Sequence, residues 1–234
     1  MKNNNLKIGI IVGILLLVSV IVYGFVWKLN CKDCGLAHVS TTEDLDHISV
    51  RLDYAFGMRA EEEKLLLKEL KEGKTLIEEA LQSDIIVVGK ATGNIVQSNC
   101  SQGQEIIVEK VLTGQENISE NSSCFVYGYF GFQEVEGQVI YMNPLNVMQP
   151  NEEYLLFLES SELNERQKKK SYYLTSDSLG YIALNNRTTP TIEREQMNEI
   201  EFSELKKYNF FSASTEVTEA LITLQKEIIT TLLR

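Results

Sequence analysis

Ser83-Asp84-Ile85-Ile86-Val87-Val88-Gly89-Lys90 reads as a strand buried on both faces: four β-branched apolar residues in a row, entered from a polar pair and left through a glycine. Ahead of it, Ala60 to about Glu72 has Glu61-Glu62-Glu63 near its start and an apolar side of Leu65, Leu66, Leu67 and Leu70, a helix pattern. Thr75-Leu76-Ile77-Glu78 matches a capping box, in which the hydroxyl and carboxylate each satisfy a free backbone N–H, so a second helix is expected over 76–82. Behind it come more strand-like runs: 105–112, 124–130, 139–141, 154–158, 172–174 and 181–184. Short strands with no helical spacers between them point to an antiparallel barrel or sandwich. Residues 162–170 are polar and read as an exposed hairpin tip. After Thr189-Pro190 the strand pattern stops. Ser214 or Thr215 can cap a final amphipathic helix with Val217, Leu221, Leu224, Ile228 and Leu232 on one face, expected to dock on the barrel.

At the other end, Ile8 to Trp27 carries no charge and is rich in Ile, Val and Leu. Twenty helical residues reach about 30 Å, the hydrocarbon thickness of a bilayer. The competing reading is a cleaved signal peptide, but the run exceeds a signal core of about 7–15 residues and no small-x-small site follows it. Lys2 and Lys7 ahead of the run favour a cytoplasmic N-terminus. The expected organisation is therefore a tail (1–7), a single-pass transmembrane anchor (8–27), a membrane-proximal stalk (28–59), a helical lead-in with the barrel (60–190), and a C-terminal helical segment (191–234), the last three outside the cell. The fold class is mainly β with flanking helices.

Beyond the anchor, removing Lys2, Lys7 and Lys28 leaves 19 basic against 33 acidic side chains, a balance of −14. Such a surface is repelled by nucleic acid and by anionic lipid head groups. His38 and His47 are the only histidines and both precede the barrel, so a Ser-His-Asp or Cys-His device within it is excluded. Glu105 and Glu109 alternate with Ile106 and Val108, which puts both on one solvated face. No phosphate-binding glycine loop is present, and no catalytic, cofactor-binding or metal-ligating residue is assigned.

Cys100 and Cys124 are expected to form a disulfide, which an extracytoplasmic compartment permits and which would stabilise by about 3 kcal/mol; two unpaired thiols are the alternative. Cys31 and Cys34 form a CxxC pair without the βαβ context that activates such thiols, and read as a structural bridge or idle thiols in the stalk. Tyr127 and Tyr129 alternate on one face, with Phe130 and Phe132 close by; they are candidates for stacking a ligand, against the simpler reading of core packing.

The order of an acidic helix, Ser83–Lys90, Val108-Glu109-Lys110-Val111-Leu112-Thr113-Gly114 and Pro150-Asn151-Glu152-Glu153-Tyr154-Leu155-Leu156-Phe157-Leu158 resembles the OB-like barrel of the tissue-inhibitor-of-metalloproteinases and netrin type, as it occurs in membrane-anchored extracytoplasmic proteins of Gram-positive bacteria. The resemblance covers about 83–184 and implies an OB-like barrel. In the animal inhibitors a free N-terminal Cys-x-Cys engages the target's zinc. Here Cys31-Lys32-Asp33-Cys34 has an extra residue and follows an uncleaved anchor, so inhibition is not carried over. The expected function is a non-enzymatic binding module with a protein partner outside the cell and no nucleic acid. The alternatives are a tethered thiol-redox protein using Cys31 and Cys34, and a protease inhibitor that would need processing directly before Cys31.

Overall fold

The computed structural model describes residues 36, 38–72, 74–98, 101–128, 131–160, 170–176, 178–185 and 189–233. Helices α1 (Ala60–Glu72) and α2 (Lys74–Leu81) lead into the long strand β2 (Ile85–Ser98), which begins with the run quoted above. It is followed by β3 (Ser101–Thr113), β4 (Ser123–Tyr127), β7 (Glu153–Ser160) and β8 (Ser171–Leu174). These five strands close on themselves in the order β2-β3-β4-β8-β7, with β7 returning to β2 through the register Ile85↔Leu158 to Lys90↔Glu153. A short strand β9 (Tyr181–Ala183) adds to the other edge of β7. The result is a closed five-strand barrel, compatible with the OB-like barrel expected.

The barrel is not wholly antiparallel, because β4 and β8 run parallel. An odd number of strands cannot alternate in direction all the way round a closed ring, so at least one joint must be parallel. Ile85, Val87, Ile106, Leu155, Leu156, Phe157 and Leu158 are fully buried. Their cluster also contains Leu70, Ala80, Val217, Leu221, Leu224 and Ile228 from the helices. That is why the β2 and β7 runs are apolar on both faces: one face fills the barrel and the other lies under helix. Helix α4 (Thr215–Leu232) docks as its period requires, with Ser214 as its N-cap accepting from the Val217 N–H. In α1 the inward side chains are Leu66, Leu67 and Leu70, whereas Leu65 faces solvent.

A second sheet has the order β10-β1-β6-β5, built from β1 (Ser49–Leu52), β5 (Phe132–Val135), β6 (Gln138–Tyr141) and β10 (Ile200–Glu201). The single-turn helix α3 (Phe202–Leu205) follows β10. These elements surround a separate core of Leu36, Val39, Leu45, Val50, Leu52, Phe132, Tyr141, Phe202 and Phe211, among others. The rings of Phe132 and Tyr141 lie 4.5 Å apart, and Phe202 meets Phe132 edge-on. Three expectations change here. The described part of 28–59 is not a free stalk, because Leu36, Val39, Leu45, Val50, Leu52 and Ala55 are buried in this core. Residues 139–141 belong to this sheet and not to the barrel. The segment expected to be helical over 191–234 is so mainly in α4; before it, Ile192, Met197, Ile200, Phe202, Leu205, Tyr208 and Phe211 complete the same core.

The two cores meet at a bulge in β2. Its register with β3 breaks between Ala91 and Ile95, and Gly93 there has φ +91°, the left-handed region that glycine tolerates. The backbone freed by the bulge pairs with the N-terminal segment: the Thr42 N–H donates to Gly93 O at 2.9 Å and the Ile95 N–H to Ser40 O at 2.8 Å. Asp44 secures that segment, its Oδ2 accepting from the N–H groups of Ser40 and Thr41 at 2.9 and 2.8 Å. These bonds, the Ser40 N–H foremost, hold the Asp44 carboxyl down to about 2.

Among the described residues no helix is long and apolar enough to cross a membrane. The anchor expected over 8–27 lies outside the described residues, as do Cys31, Cys34, Cys100, Tyr129 and the expected tip over 162–169.

Leu156→Ala, at the centre of the closing strand, is expected to cost roughly 2–5 kcal/mol of unfolding free energy by denaturant titration. Asp44→Asn is expected to lower the denaturation midpoint at pH 7. Because the folded-state pKa of Asp44 is depressed, its contribution is complete above the ordinary carboxyl value of about 3.9 and is lost as pH falls through about 2. The gap between wild type and variant therefore closes across that window, and a gap independent of pH would refute the assignment.

Candidate functional site: an aromatic band on the barrel wall

Inside the barrel the side chains are apolar, so any site for a partner lies on its wall. Residues directly paired across strands point to the same face, and the registers therefore define rows. One row runs Val96 (β2), Gly103 (β3), Tyr127 (β4), Tyr173 (β8), Glu159 (β7). Four inter-strand spacings make it about 19 Å long. The adjacent row is Glu105, Phe125, Ser171. Ile106, Val108, Cys124, Val126 and Tyr172, which alternate with these residues along their strands, are buried in the barrel core, so both rows face outward.

Tyr127 and Tyr173 stand with ring centroids 5.9 Å apart at 44°, and Phe125 lies 6.5 Å from Tyr127. Tyr127 can lie down on the wall because Gly103 has no side chain: a Cβ there would sit 2.6 Å from Tyr127 Cε1. Partial burial, with Tyr173 beside it, pushes the Tyr127 phenol up. Val96 and Tyr173 remain 37% and 36% exposed. The band is thus an apolar and aromatic strip open to solvent that ends at the exposed carboxylate of Glu159.

Glu105 departs from the sequence reading. Alternation places it on the outer face as expected, but it is only 5% exposed. The β2 bulge folds over it: its Oε2 accepts from Thr92 Oγ1 at 3.1 Å and Asn94 Nδ2 at 2.5 Å, and its Oε1 from Ser123 Oγ at 3.2 Å. The carboxylate ties the bulge to the wall beside Phe125. Glu109 is exposed, as expected.

Of the two tyrosines expected on one face, Tyr127 is in the band and Tyr129 lies outside the described residues. Phe132 is in the second core. Val96, Tyr173 and Glu159 were not singled out by the sequence, because their alignment depends on registers between distant strands. The signal that could have marked the row is Gly103, a glycine inside an otherwise regular strand.

The Cys100–Cys124 disulfide is not formed; Cys124 is a free, buried thiol. It is opposite Ile106 in the β3–β4 ladder, whereas Ser101, the neighbour of Cys100, is five residues back along β3. Five residues of strand are about 16 Å, and a disulfide needs Cα atoms within about 7 Å. Burial, reinforced by the Glu105 carboxylate, pushes the Cys124 thiol up to about 12. Among the described residues no group of three or more His, Cys, Asp or Glu side chains is arranged to hold a metal ion.

Comparison with protein families gives no match, and comparison with curated proteins gives none either.

Cys124 is expected to resist iodoacetamide at pH 8 in the native chain and to react once denaturant is added, as read by peptide mapping under non-reducing conditions. Recovery of a Cys100–Cys124 crosslinked peptide would contradict the geometry above.

Proposed function

We propose that the chain is a membrane-anchored, non-enzymatic binding module whose barrel faces the outside of the cell and takes a protein partner on the aromatic band. The observation that carries the reading is the row Val96–Gly103–Tyr127–Tyr173–Glu159: rings and an aliphatic side chain left in solvent on the wall of an otherwise well-buried barrel. A contiguous exposed apolar strip rimmed by polar groups is the usual mark of an interaction surface. The uncharged run Ile8–Trp27 supports the anchor, and the −14 balance supports a partner other than nucleic acid. The five-strand closure supports the likeness to the tissue-inhibitor and netrin barrels, which on this reading concerns scaffold and not inhibition.

A photo-crosslinking residue at position 173 of the full chain, in its native membrane, is expected to capture a defined partner that the same residue at position 135 of the second sheet does not. Purified, that partner should bind the wild-type chain and lose roughly tenfold in affinity to Tyr173→Ala, as loss of one well-placed aromatic contact implies. Identical adducts from positions 173 and 135 would overturn the proposal.

A further inference from the structure

We infer that the aromatic band receives the arginine or lysine side chains of a basic, extended polypeptide segment. The inference rests on the proposed binding role and adds the chemistry of the occupant. Tyr127 and Tyr173 stand side by side on the outer wall, tilted at 44° with centroids 5.9 Å apart. A ring face carries the negative lobe of the aromatic quadrupole and attracts a cation within about 6 Å. Directly across the strand pair from Tyr173 stands the exposed carboxylate of Glu159, placed to take the hydrogen bonds of a guanidinium or ammonium resting on that ring. In the next row the buried Glu105 carboxylate stands across the β3–β4 pair from Phe125 and adds negative potential beside the rings. Neither row contains a lysine or arginine. Lys170, which immediately precedes β8, is engaged with the Asn117 carbonyl at 2.8 Å.

The strip's dimensions and charge select the occupant further. Its length of about 19 Å matches five or six extended residues, more than a single small cation needs. Val96, at the end opposite Glu159, offers apolar contact for a side-chain stem or an interleaved aliphatic residue. An anionic ligand would face Glu159, Glu105 and the acidic balance of the whole domain. The rings and carboxylate thus favour one sign of charge, and the strip's length favours a chain over a free amine.

The test uses the full chain in neutral detergent micelles with octa-arginine as probe, and octa-glutamate and an uncharged glycine–serine octamer as comparators, by titration calorimetry at fixed salt. Octa-arginine alone is expected to bind. Tyr173→Leu, which keeps an apolar side chain and removes the ring, should weaken binding about fivefold or more. Glu159→Gln, a surface change, should weaken it about threefold or more, and Val135→Ser on the second sheet should leave it unchanged. Circular dichroism and melting temperature verify that each variant is folded. If Tyr173→Leu unfolds the chain, Glu159→Gln against Val135→Ser decides the question. Binding that is indifferent to Tyr173 and Glu159 reflects the diffuse acidity of the domain and overturns the inference, as does equal binding of the uncharged peptide. A partner captured at position 173 together with failure of octa-arginine would remove the cationic occupant and leave the binding role standing.

Discussion

A closed ring of five strands cannot be antiparallel throughout, and most of this structure follows from how the chain meets that constraint. The unavoidable parallel joint lies between β4 and β8. Parallel neighbours cannot be joined by a tight turn, so between them the chain must leave the barrel wall, travel and return. The excursion after β4 carries β5 and β6, which become half of the second sheet, and a buried span from Asn143 to Gln149 in which Asn146 Nδ2 bonds the carbonyls of Leu205 and Tyr208. The return is β7, which closes the ring against Ile85–Lys90.

The same joint shapes the outer wall. Tyr127 and Tyr173 face each other across it, 46 residues apart in sequence and adjacent in space. Gly103 on the next strand opens the room for the first ring, and Glu159 on the far side ends the row. Beside the neighbouring Phe125, Glu105 has exchanged water for three hydrogen bonds from Thr92, Asn94 and Ser123, which offsets the cost of burying a carboxylate. Its charge remains beside the rings, and it fixes the bulge that receives Ser40 to Thr42. The aromatic wall and the docking of the N-terminal segment therefore share one side chain.

What was legible in the sequence is what depends on local periodicity. Ile85–Val88 and Tyr154–Leu158 could be read as buried strands because every residue in them is apolar, and α4 because Val217, Leu221, Leu224 and Ile228 repeat at the helical period with Ser214 before them. The second core was not legible. Its pieces, such as Val50–Leu52, Phe132, Tyr141, Phe202 and Phe211, are short mixed runs that gain meaning only from one another, and they lie tens of residues or more apart. Alternation gave Glu105 its correct face, yet outward was not the same as solvated once a bulge from another strand lay across it. The candidate site was half legible: Tyr127 could be noticed as an aromatic on an outer face, but the row it belongs to exists only through the β4–β8 and β7–β8 registers. The expected Cys100–Cys124 bridge failed for a related reason, since proximity in sequence order said nothing about five residues of extended strand.

The three-part make-up of the second core bears on how the chain is made. Leu36, Val39 and Leu45 emerge from the ribosome early, yet they are covered by Ile192, Met197, Phe202 and Phe211, which emerge about 150 residues later. At 5–20 residues per second that is a wait on the order of ten seconds. During it the barrel strands through β9 can already pair, while the first apolar segment has no lasting cover. Completion of the second core is thus a late event, timed by the appearance of its C-terminal pieces.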